Sequence, residues 1–394
     1  MSLLHKRDLS GYYGDFPGAT AAQVIPPRTN YGTAGNVVVT NETALRHSAV
    51  WACLRLRANL ISTMPVDSYR KVAGVQVETT KLPILVNPGG ERVDILEWLY
   101  SSQFDLDRSG NAFGLITERN GFGLPNRIDL QPSSSVSVKV KDGEIEHYRI
   151  GNQKYQPQDV WHEKQYTVPG LHVGLSPIAY AAWSIGEYLS ITQFALNWFG
   201  NNRIPAAMLK NTAKTLDHKQ TDIVKQRFNA AVKGGDLFVT GADWEYSILQ
   251  AEQQQADWIQ GKDFGIADAA RWFDCPGDLI DAIVRGDGSI TYANITQRNL
   301  QLLIMHLNPP LRRREHALSK LLPQPRFVKF NRNALLEMDP ASRAAFFKTL
   351  IDARVMAPNE ARAKENLPPF TETQLAEFDR FWPPKNPVPQ GAMT

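Results

Sequence analysis

CPGDLIDAIVRGDGSITYAN, residues 275–294, lies between two runs of residues that favour helix. Upstream, residues 253–273 place Ile259, Ile266, Ala269, Ala270 and Phe273 at three- and four-residue steps, which predicts a helix. Cys275-Pro276-Gly277 ends it, because proline lacks a backbone N–H and glycine frees the chain. Arg285-Gly286-Asp287-Gly288-Ser289 then alternates glycine with polar residues, and such a loop can approach a partner's backbone closely. Thr291-Tyr292-Ala293-Asn294 leads out of it, with Asn294 the expected N-cap of a helix running to about Lys320.

A second long helix is expected upstream. Ser176-Pro177 has the N-cap serine and first-turn proline of a helix start, and the pattern continues to about residue 201, roughly 37 Å at ~1.5 Å per residue. Glu187 is its only charge. Ser184, Ser190, Thr192, Gln193 and Asn197 interrupt its apolar surface, so a membrane span is disfavoured. A helix apolar nearly all round is packed on several sides, and neighbours in a ring of subunits would supply those sides. Between the two long helices the sequence predicts a strand at 205–210, a helix at 217–232, a turn at Gly234-Gly235 and a strand at 236–240.

Residues 1–40 are rich in Gly, Pro and Thr and are expected to form an irregular arm. From 41 to 61, Leu45, Ala49, Ala52, Cys53, Leu56 and Leu60 make an apolar face opposite Arg46, Arg55, Arg57 and Asn59. Strands are expected at 65–71, 112–119 and 160–163, with one helix at 94–105. Val136, Val138 and Val140 alternate with polar residues, and Asp142-Gly143 turns the chain into 145–150, a hairpin signal. One more strand follows at 323–330. Two short helices lie within 339–369, and an extended proline-rich tail starts at Trp382. The fold class is α+β.

At 394 residues, 43% of them hydrophobic, the chain can build more than one core. Its net charge of +3 alone gives no tight grip on nucleic acid. Charge is segregated, however: residues 251–292 carry eight acids and three bases, while 203–233 and 311–332 each carry seven bases. Cys53 and Cys275 allow one disulfide at most and no cysteine-based zinc site, which suits a reducing compartment. The N-terminus has no basic-then-apolar signal architecture, so cytosolic assembly is expected and the sequons at Asn41 and Asn294 read as chance.

Little points to catalysis. Phosphate-cradling glycine motifs, H-E-x-x-H and G-x-S-x-G are absent, and Asp263-Phe264-Gly265 lacks the context of a kinase triplet. His162, His172, His306 and His316 read as structural or exposed. Asp263, Asp268, Asp274, Asp278, Asp281 and Asp287 are the best case for a divalent-metal nuclease, but their spacing does not converge. They fit a solvated acidic face, or an acidic wall past which a duplex slides without counterion-releasing contacts.

Four segments together resemble tailed-bacteriophage portal proteins. These are Ser48-Ala49-Val50-Trp51-Ala52-Cys53-Leu54-Arg55 through Met64-Pro65-Val66, Gly110-Asn111-Ala112-Phe113, Gly174-Leu175-Ser176-Pro177 and Thr291-Tyr292-Ala293-Asn294. Asn359-Glu360-Ala361-Arg362 with Leu367-Pro368-Pro369 resembles the family's C-terminal block, although Arg354 and Ala357 replace an expected helix-ending glycine and capping threonine. The similarity covers about 41–370.

The resemblance implies a portal-type subunit: an arm (1–40), a strand-rich wing (41–175), stem helices (176–202 and 251–274) and a clip (203–250). A tunnel loop (275–293), a channel helix (294–320), a strand returning to the wing (321–335) and a crown with tail (336–394) complete it. It implies a ring of twelve copies at one capsid vertex, assembled in the host bacterial cytoplasm, through which double-stranded DNA passes. No cofactor, metal, catalytic residue or membrane is implied. Arg285, Gly286, Asp287, Gly288 and Ser289 would lie nearest DNA. Lys214, Lys219, Lys225 and Arg227 on the clip would meet the terminase large subunit or head-completion proteins, and the major capsid protein would surround the ring. The alternatives are the nuclease and another capsid or scaffold protein.

Overall fold

The computed structural model describes residues 23–25, 30–34, 37–200, 207–213, 217–234, 243–248, 252–280, 292–332, 340–365 and 367–381. The chain divides into two compact units, 1–332 and 333–394.

Where composition predicts an irregular arm, three short strands form: β1 (Gln23–Ile25), β2 (Asn30–Ala34) and β3 (Val37–Thr40). Tertiary pairing overrides the local signal, since Tyr31 and Val39 are buried in the main helical core. Next comes α1 (Ser48–Ser62), whose buried face is rotated from the expected one: Arg57 lies inside, while Leu56 and Leu60 are half-buried. The reason is an ion pair rather than apolarity, as described below.

The strand-rich part follows expectation closely and adds three strands. It comprises β4 (Val66–Val72), β5 (Val75–Thr79), α2 (Ile95–Ser109), β6 (Asn111–Arg119), β7 (Pro125–Gln131), β8 (Val136–Lys141), β9 (Glu144–Ile150), β10 (Gln153–Tyr155) and β11 (Val160–Lys164). Asp94 caps α2, its Oδ1 accepting from the Glu97 N–H at 2.9 Å. Asp142 and Gly143 take φ of 52° and 79° between β8 and β9, the left-handed pair a two-residue hairpin turn requires. The sheets run β1-β8-β9-β10 and β11-β6-β7, all antiparallel. Phe113, Val136, Val138, Val140, Tyr148 and Val160 form the core they share.

The long helix opening at Ser176 is interrupted. It consists of α3 (Pro177–Tyr180) and α4 (Ala182–Gly200), with Ala181 at ψ near 0° between them. Ser176 caps it as expected, its Oγ accepting from the Ala179 N–H at 3.2 Å. Then come β12 (Ala207–Asn211), α5 (His218–Gly234) and β13 (Trp244–Ile248). The strand expected at 236–240 lies outside the described residues; the partner of β12 is β13, in antiparallel register Ala207↔Ile248.

Helix α6 (Glu252–Trp272) packs along α4. Gly261 and Gly265 allow the approach: a Cβ on Gly265 would lie 3.1 Å from the Tyr188 ring, and one on Gly261 3.3 Å from Ile191. The glycine of Asp263-Phe264-Gly265 thus serves helix packing.

After α6 the chain reaches α7 (Tyr292–Gln301), a π-helical stretch Leu302–Leu307 and α8 (Asn308–Ser319). The helix begins two residues before Asn294, which is therefore not its N-cap. Pro309 and Pro310 cannot donate backbone hydrogen bonds to the preceding turn, and the π stretch absorbs that break at the start of α8. β14 (Phe327–Phe330) then pairs with β4, Phe327 opposite Tyr69, which returns the chain to the strand-rich part.

The second unit contains α9 (Pro340–Asp352), α10 (Pro358–Lys364) and α11 (Glu372–Phe381), the last not expected from sequence. Arg343 binds Glu365 through two hydrogen bonds of 2.6 and 2.8 Å. The C-terminal sequence block closes on itself: Arg362 Nε donates to the Pro368 carbonyl at 2.8 Å, and the Phe370 N–H to Asn359 Oδ1 at 3.0 Å.

Candidate functional site

Arg285, Gly286, Asp287, Gly288 and Ser289 lie outside the described residues, as does Lys214. What the structure defines is the frame on either side of the loop. Asp278, in a 3-10 turn over Gly277–Ile280, accepts from Arg298 Nη1 of α7 at 3.0 Å. Asp274 contacts His306 Nδ1 of the π stretch at 2.8 Å. Asp274 itself holds a left-handed backbone, φ 51°, at the end of α6. On its other side Arg57 Nη1 donates to the Asp274 carbonyl at 3.3 Å. Both ends of the loop are thus tied to each other by one ion pair and one aspartate–histidine hydrogen bond, and one end is also tied to α1.

Arg57 is the centre of this joint. Its guanidinium grips Asp107 of α2, which also accepts from Gln103 Nε2 at 3.0 Å and Gln165 Nε2 at 3.1 Å. Burial opposes the charge on Arg57, but Asp107 and then Tyr166 and Asp274 outweigh it and keep the group cationic. Amphipathic spacing places Arg57 on the polar face. No sequence signal distinguishes a buried, paired arginine from an exposed one. The same holds for Arg314 of α8, 1% exposed, which donates to Glu163 Oε2 at 2.8 Å and to Ser102 Oγ at 2.6 Å. Burial raises the Glu163 carboxyl, with Arg314 working against it.

Two of the resemblance segments meet in space. The Asn111 side chain closes a ring with Gly174, its Nδ2 donating to the Gly174 carbonyl at 3.0 Å and its Oδ1 accepting from the Gly174 N–H at 2.7 Å. Gly110 ends α2 at φ 76° and sits against the Leu175 carbonyl; Gly174 sits against the Gly110 carbonyl. Neither position has room for a Cβ. Ser176 Oγ donates to the Arg108 carbonyl at 3.0 Å and so fastens the start of α3 to the end of α2. His162 is held as the neutral tautomer with the proton on Nε2: Nε2 donates to Asn111 Oδ1 at 3.1 Å and Nδ1 accepts from Tyr148 Oη at 3.0 Å. Burial lowers its pKa to about 3.

Of the acids considered for metal binding, Asp268, Asp274 and Asp278 are engaged with Trp272 and Arg271, with His306 and Arg57, and with Arg298. Among the described residues no group of three or more His, Cys, Asp or Glu is placed to hold a metal ion. Asp268 and Asp278 are therefore paired with arginines and do not stand as bare charges on the expected acidic wall. Lys219, Lys225 and Arg227 are all exposed on α5. At ~100° per residue, Lys219 and Arg227 lie about 80° apart, whereas Lys225 lies about 120° round from Lys219, so the three do not share one face.

The long helices leave large apolar side chains bare: Trp183 is 79% exposed and Leu196 63% on α4, and Phe264 63% on α6. Among the described residues no helix is long and apolar enough to cross a membrane.

Residues 48–366 match the family model described as phage portal protein. The chain is 27% identical over 372 residues to the portal protein of Enterobacteria phage HK97, covering 89% of this chain and 85% of that one. Its fold is similar to the crystal structure of an HK97 family phage portal protein from Corynebacterium diphtheriae, with TM-score 0.58, 19% identity, and 78% and 99% of the two chains covered. It is also similar to a chain in the neck of a native gene transfer agent particle computed with C12 symmetry, with TM-score 0.56, 17% identity, and 88% and 97% covered.

Proposed function

Because this chain belongs to the phage portal protein family, a structural family and not one of enzymes, we propose that twelve copies close into a ring at one vertex of a phage capsid. The observation that carries this is the bare apolar surface of α4 and α6, where Trp183, Leu196 and Phe264 stand largely in solvent in the single chain. Side chains of that size on adjacent helices are covered in the working state. In a cyclic ring each subunit offers one face to the neighbour on its left and a different face to the neighbour on its right. A helix pair apolar on more than one side suits that geometry, and the likeness to a chain of a twelvefold neck supports the number.

In this ring α3, α4 and α6 form the stem, β12, α5 and β13 the clip, residues 275–293 the tunnel loop, and α7 with α8 the channel helix. The strand-rich part is the wing and the second unit the crown. Double-stranded DNA passes the loop carrying Arg285, Gly286, Asp287, Gly288 and Ser289 during packaging and ejection. The clip, with Lys214, Lys219, Lys225 and Arg227, docks the terminase large subunit and later the head-completion proteins. The major capsid protein surrounds the wing. Assembly takes place in the host cytoplasm, and the ring ends in the virion.

Negative-stain imaging with native mass measurement tests the ring: discrete annuli of twelve chains are expected, and a monodisperse monomer at high concentration refutes it. Deleting residues 286–289 should impair DNA packaging or retention in particles that still contain the ring. Lys219→Glu with Arg227→Glu should weaken terminase binding, and unchanged binding removes the clip assignment.

A further inference from the structure

Cys53 and Cys275 are the two cysteines of the chain, and they meet. Cys53 sits on α1 with none of its surface exposed; Cys275 lies just past the end of α6 with 5% exposed, and both belong to the same apolar cluster. The backbone around them fixes the juxtaposition. Arg57, one turn along α1 from Cys53, donates to the carbonyl of Asp274, the residue before Cys275. The Cys275 N–H is held by the Ala270 carbonyl at 3.0 Å, and the two thiols lie side by side in that cluster, close enough for each to perturb the other.

We propose that Cys53 and Cys275 are a redox-sensitive pair that closes to a disulfide when the protein meets a low-molecular-weight disulfide, stapling α1 to the base of the loop. The two thiols differ in readiness. The neighbouring Cys53 thiol, and further off the Arg57 guanidinium, lower the Cys275 thiol against the opposing effect of burial. The Cys275 neighbour, together with burial, raises Cys53. Cys275 also lies outside a helix, next to Pro276, where local opening exposes it without unwinding α1.

The Cys275 thiolate therefore attacks one sulfur of the small disulfide, breaking its S–S bond and releasing one small thiolate, which takes up a proton. The Cys53 thiol, losing its proton to solvent, then attacks the Cys275 sulfur of the mixed disulfide and expels the second small thiol. Two protein thiols are oxidised to one disulfide and one small disulfide is reduced to two thiols. In the reducing cytosol the pair stays open, and outside the cell it closes. The consequence for DNA passage rests on the portal reading: the joint that carries the tunnel loop would be pliable during assembly and locked in the released particle.

The test uses the full-length chain and oxidised glutathione as the probe. The folded protein is incubated with it, residual thiols are alkylated, and intact mass and non-reduced peptides are measured. The expected result is a mass lower by two hydrogens, no alkylation, and one peptide linking Cys53 to Cys275 within a single chain. Cys53→Ser should instead retain a glutathione adduct on Cys275. The melting temperature of the wild type should rise by several degrees on oxidation and return on reduction, while Cys275→Ala shows no such shift. Two alkylated thiols in the treated wild type, a persistent glutathione adduct there, or disulfides only between chains would overturn the proposal. The readout is thiol chemistry in the isolated chain, so it is decided separately from ring formation.

Discussion

Arg57 and Asp107 face each other through two hydrogen bonds, Nε to Oδ2 at 3.2 Å and Nη2 to Oδ1 at 3.1 Å, with 5% and 2% of their side chains exposed. Such a pair gives little net stability over an apolar substitute, but losing one partner strands a buried charge. Arg57→Met should therefore destabilise the first unit by about 3–5 kcal/mol, read as a lower urea midpoint. Arg57→Lys keeps the charge but not the fork, and its midpoint should fall between the two. Equal midpoints for wild type and Arg57→Met would remove Arg57 from the joint.

Gly174 and Gly110 make a steric prediction that does not depend on charge. A methyl at Gly174 would enter the carbonyls of Gly110 and Gln165, which are backbone and cannot rotate away. Gly174→Ala should abolish soluble expression or cost more than ~3 kcal/mol. Gly143→Ala is the converse case: that glycine has a positive φ, 79°, which Gly174 does not, but nothing lies within 4 Å of its added Cβ. Backbone strain alone should cost it only about 1–2 kcal/mol. Asn111→Ala, which unpairs a buried N–H and carbonyl of Gly174, should fall between them at about 2 kcal/mol. Thermal melts of the three variants give the order.

His47 sets the acid limit. It is 1% exposed, stacks on Tyr188 at 3.7 Å, and burial holds its pKa near 4, with a hydrogen bond to the Gly265 backbone opposing. The unfolded chain binds this proton near pH 6.5, the folded chain only near 4, so the unfolded state carries more protons in between. Stability contributed by His47 is full above the unfolded value and is lost as pH falls from about 6.5 to 4, a loss of about 3 kcal/mol. His162, held near 3, loses its own contribution from the same onset near pH 6.5 and carries the fall on to about pH 3. Denaturation midpoints measured from pH 8 to 4 should be flat and then fall. His47→Gln should flatten the upper part of the fall, and an unchanged slope would assign it to other groups.

The sequence was legible where period and turn chemistry act locally, and illegible where a distant partner decides. Asp142-Gly143, Asp94 and Ser176 sit where their own chemistry puts them, because a left-handed turn or an N-cap needs only neighbouring residues. Arg57 and Arg314 are buried because Asp107 and Glu163 wait for them, 50 and 151 residues away. Spacing cannot carry that information. β1 is likewise a strand only because β8 offers it an edge. Trp244–Ile248 alternates Trp244, Tyr246 and Ile248 with polar residues, a local period-two signal for the strand that pairs with β12. In the candidate site, the resemblance segments marked Gly110, Asn111 and Gly174 without saying why. Their contact supplies the reason.

Arg354 and Ala357, the two departures from the family's C-terminal pattern, give the last prediction. Arg354 follows α9 and takes φ 58°, the left-handed conformation that glycine adopts freely and a branched-out side chain resists. It is exposed, so its side chain is not repaid by burial. Ala357 precedes α10 in the extended conformation of an N-cap, and Glu360 Oε2 already accepts from its N–H at 2.9 Å. That is half of a capping box; the missing half is a side-chain oxygen on residue 357, in whose absence the Glu360 N–H donates to the Ala357 carbonyl at 3.0 Å. Ala357→Thr should supply it and stabilise the second unit by about 1 kcal/mol. Arg354→Gly relieves the strained backbone but makes the unfolded chain more flexible, so its net gain should be smaller, about 0.5 kcal/mol. Slower amide hydrogen exchange across α9 and α10 is the expected sign in both variants. Exchange that is unchanged or faster in Arg354→Gly would mean the arginine side chain holds this turn by contacts outside the single chain.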